Sequence, residues 1–168
     1  MMNWRVSAAV LVGVLVCVAG WPSAVDAQQI TLYSCADVQF EIYSEYDSAA
    51  RPVLCRSEFS ATDPYVVLYV QVAPIKRDTN IAIELLDPEG MTVFSRAGVL
   101  ESAPSGYPVS YTFSYVLPLA MGAVDVLRKL PLAVPILLRR PARERLGEWT
   151  WKLWLDPGPS ATLKFTLK

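Results

Sequence analysis

Along most of the chain apolar and polar residues alternate with a period of two, the mark of strands that turn one face inward and the other outward. In Tyr65–Val72, Val66, Leu68, Val70 and Val72 share one face, and Tyr65, Tyr69 and Gln71 share the other. Residues 80–86 repeat the pattern, with Ile81, Ile83 and Leu85 on the apolar side and Glu84 opposite. Asp87-Pro88-Glu89-Gly90 has the order of a tight turn, because proline presets φ and glycine accepts positive φ. Residues 91–94 then return as the partner strand of a hairpin. After a Gly/Pro/Ser-rich connection over 101–108, Tyr111, Phe113, Tyr115 and Leu117 alternate with Ser110, Thr112 and Ser114. The last pair is the plainest. Trp149, Trp151, Leu153 and Leu155 line one face against Thr150, Lys152, Trp154 and Asp156. Asp156-Pro157-Gly158-Pro159 reverses the chain, and Leu163, Phe165 and Leu167 alternate with Lys164 and Lys168. Residues 30–33 and 38–43 supply two earlier strands, and Glu58-Phe59 a short one.

Seven to nine short strands between turn signals predict an all-β fold built as a two-sheet antiparallel sandwich. The stretch Leu146-Gly-Glu-Trp-Thr-Trp-Lys-Leu-Trp-Leu-Asp156, followed by Thr162-Leu-Lys-Phe-Thr-Leu-Lys168, resembles the C-terminal hairpin of bacterial immunoglobulin-like domains. There a Gly-x-Trp opens one strand and a final strand follows an Asp/Gly turn. Ile83-Glu-Leu-Leu-Asp-Pro-Glu-Gly90 resembles the central strand and turn of the same domains. These motifs cover a minority of the chain and belong to a superfold, so the resemblance implies an immunoglobulin-like sandwich and no particular function. One departure is visible: Cys35 and Cys55 lie closer together, and earlier, than the inter-sheet bridge of antibody domains.

The segment from Pro118 to Arg145 does not fit a sandwich connector. It is apolar yet carries six cations, Arg128, Lys129, Arg139, Arg140, Arg143 and Arg145, and it reads as a basic-apolar insertion before the last hairpin. Residues 120–130 are expected to form a short helix with Met121, Val124, Leu127 and Leu130 near one face, and Pro131, Pro135 and Pro141 forbid a longer one.

The N-terminus carries an address. A charged start at Arg5, an apolar run of about 15 residues over 6–20 and Val25-Asp26-Ala27 form the parts that signal peptidase reads, with cleavage after Ala27. That run is short for a membrane anchor. Cys17 lies inside it behind Val16, which departs from a lipobox. Residues 28–168 then form one domain, bound for periplasm or extracellular space, with Cys35 and Cys55 as its only cysteines. In an oxidising compartment they are expected to pair, tying an N-terminal strand to the following loop.

The chain has no histidine, which removes imidazole-based catalysis and imidazole metal sites. No glycine-rich loop cradles a phosphate, and Asp87 with Glu89, or Glu41 with Glu45, read as solvated charges rather than a glycosidase pair. Dense calcium-loop spacing is absent. No catalytic residue, metal site or cofactor is therefore expected. Exposed aromatics are the next candidates. Trp154 and Lys152, with Tyr69 on the less apolar face of its own strand, form a candidate binding face for a glycan or a protein, unless the insertion covers it. Acids outnumber bases 11 to 5 over residues 28–117, whereas bases outnumber acids 9 to 4 over 118–168. Arg128, Lys129, Leu137, Leu138, Arg139, Arg140, Arg143 and Arg145 accordingly form a candidate contact for an anionic membrane or a partner protein; the alternative is that the apolar residues pack and the cations stay solvated. Nucleic acid is not an expected partner of an exported chain with net charge −1. The expected function is an exported non-catalytic interaction module, an accessory or binding component of the cell envelope whose partner is another envelope protein; the alternatives are peripheral membrane contact through 118–145 and carbohydrate binding.

Overall fold

The alternation read along the chain becomes two five-stranded sheets packed face to face. The computed structural model describes residues 27–44 and 47–168, so the expected signal before Ala27 lies outside the described residues. In chain order the strands are β1 (Gln29–Ser44), β2 (Asp47–Cys55), β3 (Glu58–Phe59), β4 (Tyr65–Ile75), β5 (Thr79–Leu86), β6 (Thr92–Leu100), β7 (Val109–Pro118), β8 (Val134–Pro135), β9 (Gly147–Asp156) and β10 (Ser160–Leu167). One helix, α1 (Ala123–Lys129), lies between β7 and β8.

The first sheet has the order β2-β1-β4-β7-β8, and the second β3-β10-β9-β5-β6. If β1, β4, β5, β6, β7, β9 and β10 are lettered A, B, C, C′, E, F and G, the sheets read A-B-E and G-F-C-C′. That is the Greek-key arrangement of immunoglobulin-like sandwiches, and the fold expected from the sequence is the one observed. One detail differs. The sheets are mixed, because β8 runs parallel to β7 and β3 parallel to β10, each over two residues. Both short strands arrive through connections rather than hairpins, which frees them from antiparallel pairing.

The faces expected to be apolar form the core. Val66, Leu68, Val70 and Val72 of β4 meet Ile83 and Leu85 of β5, Trp149, Trp151 and Leu153 of β9, and Phe165 and Leu167 of β10. Trp151 stacks on Phe94 at 6.2 Å between ring centroids and tilts against Tyr115 at 5.4 Å, so one ring ties three strands across both sheets. The Asp87–Gly90 turn forms as expected, with Gly90 N donating to Asp87 O at 2.9 Å and Gly90 at φ +80°.

The N-terminal strands differ from the expectation. Residues 30–33 and 38–43 belong to the single strand β1, since Ser34-Cys35-Ala36-Asp37 loses the alternation without containing a breaker. The first half of β1 pairs with β4 and the second half with β2. Cys35 and Cys55 form a disulfide, and it links directly opposed residues of β1 and β2 instead of a strand and a loop. Cys35 is fully buried. The bridge closes a loop with a sequence separation of 20, for which the chain-entropy model gives about 3 kcal/mol. Replacing both cysteines by serine is expected to lower unfolding stability by about 2 to 4 kcal/mol, read as a fall in the urea midpoint.

Candidate interaction surface

The insertion begins by clinging to the loop that precedes β4. Leu119 N and Met121 N both donate to Pro64 O at 3.1 Å, and Ala120 N donates to Asp63 O at 3.2 Å. Helix α1 then lies on the outer face of the first sheet, where Val126, Leu130 and Ala133 bury against Cys35, Tyr65, Val67 and Val116. This is a second, smaller core. The expected helical face is corrected: Val124 and Leu127 are exposed, while Val126 and Leu130 dock. The cause is the short span of α1, seven residues ended ahead of Pro131, which presents its i, i+4 pair to the apolar outer side of β4. Tyr69 lies on this same outer side and is only 5% exposed, its ring 6.2 Å from that of Tyr33. It is therefore not part of an exposed binding face.

Beyond α1 the chain crosses to one end of the sandwich. Ile136 N donates to Val116 O at 2.8 Å, and the Ile136 side chain enters the main core together with Leu119 and Ala142. Leu138 packs against the same core, whereas Leu137 is 71% exposed. Apolar packing thus absorbs Leu138 and leaves Leu137 at the surface.

The six cations divide into two groups. Lys129 Nζ sits 5.2 Å from the centroid of the Tyr65 ring, a cation–π contact. Tyr65 in turn donates to Asp37 Oδ1 at 3.2 Å, and burial pushes its phenol above the ordinary value. Arg128 lies 3.8 Å from Asp125, with both side chains exposed. Arg145 is structural: its Nη1 donates to Asp87 Oδ2 at 2.7 Å, with side chains only 17% and 6% exposed. Asp87 Oδ1 accepts from Met91 N at 2.9 Å, so both carboxylate oxygens are engaged and the residue is not the solvated turn charge its sequence position suggests. Arg145 O accepts the Trp149 indole N–H at 3.1 Å. Gly147 follows at φ +126°, where a Cβ would stand 3.0 Å from Pro88 Cβ. The exit of the insertion is clasped to the β5–β6 turn, and Arg145 leaves the set of candidate contact residues.

Arg139, Arg140 and Arg143 are exposed, and among the described residues they have no ion pair. Arg139 and Arg143 rim a cleft of about 410 Å³ whose floor is Leu119, Ile136 and Ala142, with Leu137 at its lip. Arg140 faces a different hollow, lined by Asp87, Glu89 and Glu144. The strongest convergence of free positive charge and apolar surface is therefore Leu137, Arg139 and Arg143.

Trp154 and Lys152 share the outer face of the second sheet, remote from Tyr69 on the first. Trp154 is 39% exposed and stands between Ala82 of β5 and Ser160 of β10, small neighbours that leave its ring open. Lys152 is half-buried opposite Glu84. One feature has no counterpart in the sequence reading: a cleft of about 260 Å³ between β6 and β7 that Arg96 helps to line.

Replacing Arg145 by Met leaves the Asp87 carboxylate buried without its cation and is expected to cost about 3 kcal/mol in urea unfolding. Replacing Arg139 by Ala is expected to stay within about 0.5 kcal/mol of the parent.

No family model and no curated protein matches the chain. Among solved structures it is similar to an immunoglobulin-like protein of Pseudomonas aeruginosa, at 13% identity and a TM-score of 0.38, over 82% of this chain and 97% of that one.

Proposed function

We propose that the chain is an exported, non-catalytic interaction module, an accessory or binding component of the cell envelope, and that it makes contact through Leu137, Arg139 and Arg143 of the insertion. The observation that carries this reading is the division among the cations. Arg145 is consumed by the fold, whereas Arg139 and Arg143 stand unpaired among the described residues, around an apolar cleft with an exposed leucine at its lip. An unpaired cation beside exposed apolar surface suits an anionic, partly apolar counterpart. Export rests on the signal pattern before Ala27, and the Cys35–Cys55 bridge fits an oxidising compartment.

A membrane is the second reading, favoured by the exposure of Leu137 at the same cleft as Arg139 and Arg143, since apolar insertion and headgroup attraction act together at a bilayer surface. Sedimentation of the mature protein with phosphatidylglycerol vesicles separates the two. On the membrane reading the protein binds, is released as salt rises, and is weakened at least about thirtyfold by Arg139→Glu with Arg143→Glu, at roughly 1 kcal/mol for each charge lost. On the protein-partner reading it stays in the supernatant, yet the same double variant abolishes its crosslinking to an envelope protein. Unchanged behaviour of the variant in both assays would sink the proposal.

A further inference from the structure

The four sheet edges are not equally protected. β3 and β8 are two residues long, and β8 contains Pro135. β2 carries Asp47, Arg51 and Pro52. Charge, proline and brevity are the usual devices that keep an edge from pairing with another chain. β6, Thr-Val-Phe-Ser-Arg-Ala-Gly-Val-Leu, is nine residues long with a single charge and no proline, and nothing among the described residues pairs beyond it.

The free backbone groups of β6 follow from register. In an antiparallel ladder each residue sends its N–H and C=O to the same neighbour, and successive residues alternate. Leu155 N donates to Pro159 O across the β9–β10 turn. Odd-numbered residues of β9 therefore bond to β10, and even-numbered ones bond to β5. Trp154 and Lys152 oppose Ala82 and Glu84, so Ile81, Ile83 and Leu85 are left to face β6. Their partners Gly98, Arg96 and Phe94 are satisfied by them. The N–H and C=O groups of Ser95, Ala97 and Val99 consequently point outward, away from the sheet.

Side chains follow the same register. Phe94, Arg96 and Gly98 lie on the inner face, where Phe94 stacks on Trp151. Gly98 leaves that face empty, since a Cβ there would find its nearest atom, Ile81 Cγ2, at 4.0 Å. Under the edge opens the cleft of about 260 Å³, lined by Ile81, Ile83, Phe113, Tyr115 and Val134, with Arg96 on its β6 side. On the opposite lip β8, two residues long, pairs only with Tyr115 and Val116 of β7.

We propose that β6 accepts an extended segment of a partner polypeptide as an added strand, whose inward side chains are apolar apart from one carboxylate that meets Arg96. Outward backbone groups supply the hydrogen bonds, and the cleft takes alternate side chains. Charge selects this occupant over a second copy of the chain. Two-fold pairing of β6 with itself, centred on Ala97 or Ser95, sets the two Arg96 side chains diagonally on one face, where like charges repel. The proposal is independent of the insertion surface.

The test uses the mature protein and a short synthetic peptide in which Val and Thr alternate around one central Asp. Amide hydrogen exchange followed by NMR is expected to show Ser95, Ala97 and Val99 becoming protected on saturable addition of peptide. The same peptide with Lys in place of Asp is expected to bind about tenfold more weakly, the loss of one charge-assisted contact, and Arg96→Glu to reverse that preference. Ala97→Pro removes an outward N–H and spares the β5–β6 bonds, so the fold is expected to survive by near-ultraviolet circular dichroism while binding is lost. If that variant does not fold, the Asp and Lys peptides with Arg96→Glu decide. No protection at the three amides, equal binding of the two peptides, or unaltered binding by a folded Ala97→Pro overturns the proposal. So does protection that grows with protein concentration without peptide, which would mean self-pairing.

Discussion

β4 is buried on both sides, and most of what distinguishes this molecule from a plain sandwich answers to that constraint. Residues 65–70 are all buried. A strand at the centre of a two-sheet sandwich needs only one apolar face, because the other ordinarily meets water. Here Tyr65 and Val67 extend apolar surface outward, and leaving them exposed would cost about 1.5 to 3 kcal/mol for each large side chain. The insertion supplies the cover through Val126, Leu130 and Ala133. Its length follows from the path it must take: off the end of β7, across the outer face, and back past β7 to the start of β9.

A long irregular segment gains little from packing unless its ends are held, since each ordered residue costs about 1 to 2 kcal/mol of backbone entropy. Both ends are held here. The entrance shares Pro64 O between two backbone donors, and the exit carries the Arg145–Asp87 pair. Desolvating that pair offsets much of its Coulomb attraction, so its contribution lies more in specifying one arrangement than in net stability. The surrounding contacts agree with that role. Asp87 also caps its own turn, Arg145 O receives Trp149 Nε1, and only glycine fits beside Pro88 at position 147. The clasp thereby sets where β9 starts, and with it the phase that turns Trp149 and Trp151 inward.

Period-two alternation made the inner faces legible, because in β5, β9 and β10 the side-chain pattern and the burial pattern are one physical fact, whereas β4 and the end of β7 are covered on the outer side as well. The same rule left the burial of Tyr69 unseen. It assigns a residue to the outer face correctly and is silent on whether something else covers that face. The docking side of α1 was illegible for a related reason: seven residues hold too few apolar positions for periodicity to choose a face, and the sheet beneath chose instead. Asp87 and Arg145 are 58 residues apart, and no local pattern couples them. The open edge of β6 was hidden as well, because edge position belongs to the sheet order and leaves no trace in the strand's own sequence.

The two proposed contact regions differ in what binding would have to order. Leu137–Arg143 is a short arc pinned by Ile136 just before it and by Ala142 within it, next to Arg143, both in the core. Its arginine side chains alone would lose freedom on contact, a cost of about 0.5 to 1.5 kcal/mol each. β6 is already extended and bonded to β5 along its length, so the acceptor needs no reorganisation and the ordering falls on the incoming segment. Backbone bonds read no sequence, and Arg96 is the only charge on the strand, so discrimination there falls to the side chains that enter the cleft and to the charge that meets the guanidinium. An inward charge on an edge strand ordinarily excludes other strands because it would be buried unpaired. A carboxylate on the incoming strand removes that penalty, and the same arginine that turns away most strands would admit one that carries it.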